Sequence, residues 1–238
     1  MTLQDVMRAR QAPGLVVLEG FHAVKHAVRF GAELLGAWTA DAAALEGLRA
    51  ALAPDIALRA AEVPAAELAA VVPRAQVVAV ARRPAQPDPD AVLAAAGPAP
   101  VVLLEDPRHL GNLGACVRVA AAAGAAGVLV TGGLDPWHPD ALRGSAGLHF
   151  ALPVHRLRAL RAGDRPLVAL DPGGEPLARG AGGLPARAVL AFGTERHGVS
   201  PELLARADAR LALPMAPGVS SLNLATAVAA VLYRSSVA

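Results

Sequence analysis

Three loop segments of this chain combine glycine and polar residues in patterns that could bind or transform a ligand. The first, GNLGA at 111–115, places two glycines at the mouth of a helix, where backbone amides can approach an anion. Neither the dinucleotide fingerprint G-x-G-x-x-G nor the phosphate loop ending in G-K-S/T is present. Asn112 stands at the expected N-cap. Arg118 follows among alanines and valines, either as a surface side chain with a packed stem or as a charge directed into a pocket.

The second segment, GTERHG at 193–198, follows an apolar run that predicts a buried strand. Its two glycines frame Glu195, whose carboxylate could hold polar ligand groups or orient Arg118. The alternative is an ordinary turn with a solvated Glu–Arg pair, which contributes little to stability. We expect His197 to be a bystander, and no metal site stands out among the seven histidines.

The third segment, LPMAPGVSSLNLA at 213–225, is a loop constrained by two prolines and a glycine. It enters a helix through Ser220 and Ser221, and capping accounts for one of these two serines. Asn223 falls within the first turn of that predicted helix, where asparagine is unfavourable. We therefore expect its side-chain amide to have another partner.

Alternating apolar runs and helical periodicity predict an α/β protein with a mostly parallel sheet covered on both faces. Strands are expected at 15–18, 36–39, 76–81, 101–104, 128–130, 166–170, 188–192 and 211–213, with 56–60 extended. Helices are expected at 21–30, 41–51, 65–71, 113–123, 139–146, from 200 onward, and at 221–233. The three loops then follow strand ends, where parallel sheets bind ligands.

The predicted organisation is a small α/β domain at 1–82, a linker at 83–100 and a larger domain at 101–238. The linker is rich in proline and alanine and has no long periodic pattern.

Composition excludes several classes of protein. Hydrophobic residues make up 54% of the chain and the mean hydropathy is +0.42, but no apolar run approaches the ~18 residues that cross a bilayer. The N-terminus has no signal-peptide core, so we expect a cytoplasmic protein without membrane contact. A single cysteine excludes a disulfide framework. The net charge of +2 does not predict a strongly basic surface, so any RNA would be held by local patches.

Taken together and in this order, the three segments resemble a known family. N-L-G-A-C-V-R-V-A-A-A-A-G (112–124), F-G-T-E-R-H-G-V-S (192–200) and L-P-M-A-P-G-V-S-S-L-N-L-A (213–225) are similar to the three motifs of the SpoU (TrmH-like) RNA ribose 2′-O-methyltransferases of the SPOUT superfamily. The segment 142–154 resembles the stretch between the first two motifs. The resemblance covers 101–238 almost throughout, and the first 80 residues more weakly resemble the family's small substrate-binding domain.

The resemblance implies a deep trefoil knot in the larger domain, against the rule that chains are unknotted. It also implies a homodimer that binds S-adenosyl-L-methionine and methylates a ribose 2′-hydroxyl of ribosomal or transfer RNA. The catalytic candidates that it implies are Asn112, Arg118, Glu195, Ser221 and Asn223. The cofactor-binding candidates are Thr131, Gly132, Gly193, Gly198, Leu213, Met215 and Leu222. The chain departs from the family at Pro217–Gly218 and at Ala225.

For Arg118 we favour electrostatic stabilisation of the developing alkoxide, because a guanidinium is a poor proton acceptor. Glu195 would fix the guanidinium, and the asparagines and Ser221 would hold ribose, phosphate or the methionine moiety. Two other functions stay open. One is a non-catalytic RNA-binding or ribosome-assembly protein on the same fold, and the other is an unrelated α/β enzyme that binds a nucleotide through GNLGA.

The helix at 21–30 is the candidate for the first contact with RNA. Its apolar residues recur at helical spacing, which leaves His22, Lys25, His26 and Arg29 on the opposite face. We predict that Lys25 and Arg29 bind RNA phosphates. The alternative is an ordinary solvated helix face.

Overall fold

The computed structural model describes residues 1–161, 163–177, 184–194 and 197–235 of the chain. The helices are α1 (Asp5–Ala9), α2 (Phe21–Arg29), α3 (Ala42–Leu52), α4 (Ala65–Val71), α5 (Pro89–Ala94), α6 (Leu110–Ala122), α7 (Pro139–Gly144), α8 (Pro201–Arg206) and α9 (Leu224–Ser235). The strands are β1 (Leu15–Glu19), β2 (Leu34–Thr39), β3 (Ala61–Glu62), β4 (Val77–Arg82), β5 (Val101–Leu104), β6 (Gly127–Val130), β7 (Val154–Arg156), β8 (Leu167–Pro176), β9 (Val189–Phe192) and β10 (Ala209–Ala212). A 3₁₀ turn spans Leu148–Phe150.

The chain forms two compact units. The first consists of Met1–Ala85 together with Trp137–Ala151, and the second of Gln86–Pro136 together with Leu152–Ala238. This division differs from the predicted boundaries in two respects. The segment 137–151 was expected in the larger domain, and 83–100 was expected to be a linker with no long periodic pattern.

Both differences have local causes. In the first unit, the Ala146 carbonyl lies 2.8 Å from Nδ1 of His26, and a Cβ added at Gly147 would meet the Ala23 carbonyl. These contacts attach 137–151 to α2. In the second unit, Asp88 caps α5 by accepting a hydrogen bond from the Asp90 amide at 2.8 Å, and Val92 is buried in the core. The supposed linker therefore contains a short packed helix.

The first unit has a four-stranded mixed sheet in the order β1-β4-β2-β3. The central strand β4 is antiparallel to β1 and β2, and β3 is parallel to β2. The chain follows the expected extended segment 56–60 with the short strand β3, which pairs with β2 at Ala61–Glu62. A core that includes Val6, Trp38 and Val80 lies beneath this sheet.

The second unit has a six-stranded sheet in the order β10-β8-β9-β5-β6-β7, and every neighbouring pair is parallel. The predicted parallel α/β class is confirmed. All residues of β5, β6 and β9 are buried, as expected for strands covered on both faces. The edge strand β7 was not predicted, because it has only three residues. The trefoil knot stays a prediction from the resemblance.

Strand β8 is longer than predicted and is interrupted beside β10. Arg210 pairs with Ala169, but the next residue, Leu211, pairs with Glu175. The segment 170–174 therefore leaves the ladder and rejoins it. It rejoins at Glu175, and at the preceding Gly174 an added Cβ would lie 2.5 Å from the backbone carbon of Arg210, so a side chain does not fit there.

Candidate active site

A pocket of about 400 Å³ lies in the second unit, beside the middle of β8 and the carboxyl ends of β9 and β10. Its walls come from the part of β8 at 170–172, the turn after β9 and the loop that leads into α9. The lining residues are Leu170, Asp171, Pro172, Phe192, Gly193, Thr194, His197, Gly198, Leu211, Leu213, Met215, Ser220, Ser221, Leu222, Leu224 and Ala227. This volume is typical of small-molecule sites, and the mixture of apolar side chains and a few hydroxyl and carboxylate groups is also typical.

The turn after β9 requires its two glycines. Thr194 and Gly198 exchange two backbone hydrogen bonds of 3.0 Å, which bring Gly198 against Gly193. A Cβ at Gly193 would lie 1.9 Å from the backbone carbon of Gly198, and Gly198 itself has a φ of +67°. The turn therefore presents bare backbone to the pocket. His197 lines the pocket as well, and its amide donates to Oγ1 of Thr194 at 2.9 Å.

Asp171 is a pocket residue that the sequence analysis missed. Its Oδ2 accepts hydrogen bonds from Nε and Nη2 of Arg210, at 3.1 and 2.5 Å, and its side chain is only 16% exposed. This ion pair joins the segment 170–174 to β10. The signal in the sequence was a D-P-G-G run after a buried strand, but its partner lies 39 residues away.

The first and third segments meet through two asparagines. Nδ2 of Asn223 donates to Oδ1 of Asn112 at 3.0 Å, and Oδ1 of Asn223 accepts from the Ala225 amide at 2.9 Å. The side-chain amide of Asn223 therefore has the partner that was expected, and its side-chain oxygen caps the first turn of α9. The expectation of a serine cap there was wrong, because α9 begins at Leu224. Asn112 is not an N-cap either, since α6 begins two residues earlier, at Leu110, with His109 before it.

Arg118 lies on the exposed side of α6, about one and two-thirds turns after Asn112. Its neighbours Cys116 and Val117 are fully buried, so the helix packs through them and turns the arginine outward. Arg118 is not among the lining residues of the pocket. Glu195, its expected partner, lies outside the described residues.

The pocket brings together six of the predicted site residues: Gly193, Gly198, Leu213, Met215, Ser221 and Leu222. It does not include Thr131 or Gly132, which follow β6. That strand is separated from β9 by β5. There Oγ1 of Thr131 accepts a hydrogen bond from the Asp106 amide at 3.2 Å, and Gly132 packs closely on Asp106.

The predicted basic face of α2 is not a row of free cations. Nε of Arg29 donates to Oδ2 of Asp55 at 2.7 Å, and this hydrogen bond lowers the pKa of the Asp55 carboxyl. His26 bonds to the Ala146 carbonyl, and its burial lowers the pKa of its imidazole. Nζ of Lys25 lies 5.9 Å from the centre of the Phe21 ring. The positive charge of Arg29 is therefore already compensated by the carboxylate of Asp55, which weakens the predicted role of Arg29 in binding phosphate.

Comparison with known proteins places this site in a family. A model of the SpoU rRNA methylase family matches residues 99–233, the stretch that carries all three segments. The chain belongs to the SpoU rRNA methylase family. Within the described residues, no helix is both long and apolar enough to span a membrane.

The relatives of this chain include two proteins from Streptomyces species. The 23S rRNA (adenosine(1067)-2′-O)-methyltransferase of Streptomyces laurentii is 36% identical over an alignment of 142 residues, which covers 56% of this chain and 53% of that protein. The 23S rRNA (uridine(2479)-2′-O)-methyltransferase of Streptomyces viridochromogenes is 32% identical over 157 residues, covering 56% and 51% respectively. The chain therefore spans about half the length of the curated relatives it matches.

Solved structures match nearly the whole chain. The SpoU methyltransferase AviRb from Streptomyces viridochromogenes, in complex with AdoMet, superposes with a TM-score of 0.77 at 25% identity and covers 98% of this chain and 95% of that one. A crystal structure titled RNA 2′-O ribose methyltransferase gives a TM-score of 0.75 at 28% identity, with 98% and 94% covered. The SpoU fold thus extends over both units.

Proposed function

We propose that this protein transfers a methyl group from S-adenosylmethionine to a ribose 2′-hydroxyl of ribosomal or transfer RNA. The observation that carries the proposal is the pocket of about 400 Å³, built by the second and third segments. The two Streptomyces relatives, named as 2′-O-methyltransferases of 23S rRNA, support the reaction. The proposal includes a cytoplasmic homodimer, as the family resemblance implies.

The residues of the pocket fit the cofactor. Gly193 and Gly198 leave bare backbone where a planar or charged group could approach closely. Leu213, Met215 and Leu222 offer apolar surface to an adenine ring, and the Ser221 hydroxyl offers a hydrogen bond. Bound there, S-adenosylmethionine supplies an electrophilic methyl group on a positively charged sulfur.

The chain's own residues would position and stabilise the RNA oxygen. The 2′-oxygen gains negative charge as it loses its proton, so a fixed positive charge nearby lowers the barrier. Arg118 is the candidate for that charge, and as a guanidinium it stays protonated while doing so. The proton would pass to an RNA phosphate or to water.

The asparagine pair is placed to hold the ribose or a phosphate. Nδ2 of Asn223 uses one hydrogen for Asn112, and its second hydrogen makes no hydrogen bond to the described parts of the chain. Because the carbonyl of Asn223 is bonded to the start of α9, the direction of its amide is fixed. A fixed donor orients a substrate at less entropic cost than a mobile one.

The test is incubation of the protein with total RNA and methyl-labelled S-adenosylmethionine, followed by nuclease digestion and mapping of the labelled nucleoside. We expect label on the ribose 2′-oxygen. Label on a base, with the ribose unmodified, would contradict the proposal. Binding of RNA and cofactor without any transfer would instead favour a non-catalytic RNA-binding protein.

A further inference from the structure

A short run of arginines follows the edge strand β7 in the second unit. The strand ends at Arg156, and the loop continues through Arg158 to Arg161. The Leu157 amide donates to the Val130 carbonyl at 2.7 Å, and Leu160 is buried in the core of the sheet. The loop backbone is therefore fixed from beneath, and the three arginine side chains are held on its exposed side.

These arginines differ in the groups that pair with their guanidinium side chains. Nη1 of Arg161 pairs with Oδ2 of Asp90 at 3.1 Å. Arg156 makes one long hydrogen bond, 3.4 Å from its Nη1 to the Gly133 carbonyl. Arg158 has no hydrogen bond or ion pair with the part of the chain that the structure describes. A fourth guanidinium stands beside the loop, because Nη1 of Arg206 donates to the Leu160 carbonyl at 2.9 Å.

Two adjacent clefts share Arg158. One, of about 150 Å³, also includes Arg206 and the Thr131 side chain. The other, of about 320 Å³, also includes Arg156 and Arg161. Arg158 therefore lines two neighbouring openings, each with at least one further arginine in its wall.

The acidic groups near these clefts already have internal roles. Glu105 accepts hydrogen bonds of 2.7 Å from both the amide and the hydroxyl of Ser200. Asp88 caps α5, and Asp90 pairs with Arg161. Glu202 lies in the first turn of α8, where a carboxylate is favourable. Among the described residues, the charges of Arg156, Arg158 and Arg206 are thus not compensated by ion pairs.

The loop lies at the same edge of the sheet as the candidate active site. In the order β9-β5-β6-β7, all strands are parallel, so the turn after β9, the segment leading to Asn112 and the arginine loop all follow carboxyl ends. Two strand steps, about 10 Å, separate the ends of β5 and β7. A few nucleotides of RNA can span this distance.

We propose that Arg158, together with Arg156 and Arg206, binds backbone phosphates of the RNA a few nucleotides from the methylated ribose. This inference rests on the proposed function for the location of that ribose. Guanidinium groups in two adjacent clefts suit a polyanion, because a single free phosphate would occupy only one of them.

The test compares Arg158→Ala with Arg161→Ala in the full-length protein, using fluorescence anisotropy of a labelled polyuridine oligonucleotide at several salt concentrations. Both variants remove one positive charge from the same loop, but only Arg158 lacks an acidic partner. We expect Arg158→Ala to raise the Kd about fivefold at low salt and to reduce the log–log salt slope by roughly 0.7. Arg161→Ala should change the Kd less than about twofold.

Three further measurements make the result decisive. Thermal unfolding and calorimetric titration with S-adenosylmethionine should be unchanged in Arg158→Ala, and methyl transfer to ribosomal RNA should show a raised KM with kcat retained. Equal effects of the two variants, or a wild-type protein that does not bind polyuridine at low salt, would overturn the inference. Polyuridine binding that depends on Arg158, without methyl transfer by the wild type, would instead refute the proposed function alone.

Discussion

At the scale of single residues, Arg118 provides the sharpest test of the mechanism. Its side chain is exposed on α6, outside the pocket walls, so its removal should leave the cofactor site intact. We expect Arg118→Ala to lower kcat by at least about 100-fold, because a preorganised charge acts mainly in the transition state. The Kd for S-adenosylmethionine, measured by calorimetry, should change less than about twofold.

Arg118→Lys is the matched control for that variant. Lysine keeps the positive charge but loses the planar fork of the guanidinium. An electrostatic role therefore predicts partial activity in Arg118→Lys. If Arg118→Ala weakened cofactor binding as much as turnover, the residue would belong to the cofactor site instead.

At the scale of elements, the turn after β9 determines whether the pocket can form. A methyl group at residue 193 would collide with the backbone of Gly198, and neither strand β9 nor the paired turn can easily move away. We expect Gly193→Ala to abolish S-adenosylmethionine binding and to destabilise the protein by about 2 kcal/mol or more. Calorimetric titration and chemical unfolding measure the two effects.

Gly47→Ala is the comparison for that substitution. Gly47 lies within α3, where an added Cβ meets nothing within 4 Å. Its replacement should stabilise the protein by about 0.5–1 kcal/mol and leave cofactor binding unchanged. A Gly193→Ala protein that binds the cofactor normally would show that this close approach is not needed.

The elements also show what the sequence could predict. The buried strands β5, β6 and β9 were predictable, because each is a short apolar run that needs no knowledge of its partners. The starts of α6 and α9 were each misplaced by three residues. In both cases an asparagine near the helix start is bonded to the other helix, through the contact between Asn112 and Asn223.

Features that depend on distant pairs were not predictable. Asp171 has a defined position only because Arg210 lies on the neighbouring strand. The neutralisation of Arg29 likewise depends on Asp55, 26 residues further along the chain. The spacing of residues along the sequence carries no information on either pair. The helical periodicity of α2 therefore predicted more unpaired positive charge on that helix than the structure has.

At the scale of the whole molecule, the homodimer is a prediction, and exposed apolar side chains of the third segment and α9 are candidate contacts for it. Val219 is 51% exposed and Tyr233 is 48% exposed in the single chain. We expect light scattering at micromolar concentration to give twice the chain mass of 24.0 kDa. Val219→Glu combined with Tyr233→Glu should shift the mass toward that of one chain, because two buried carboxylates oppose association.

Met7→Glu is the control for the dimer test. Met7 is 55% exposed but lies in the first unit, so the same change of chemistry there should leave the mass unaltered. A wild-type mass of 24.0 kDa would refute the homodimer and leave the exposed apolar residues without a partner.

The placement of residues 137–151 has a consequence for how the protein is made. The chain leaves the first unit after Ala85, returns to it at Trp137 and leaves again after Ala151. During synthesis, the first unit is therefore completed only after the segment 137–151, which bonds to His26 and packs on Ala23, has emerged from the ribosome. By then β5 and β6 have also been synthesised, and they pair with each other, but their outer neighbours β9 and β7 are completed only when later residues emerge. This nascent chain thus presents two incomplete cores at once, and exposed apolar surface of this kind makes a folding chain prone to aggregate.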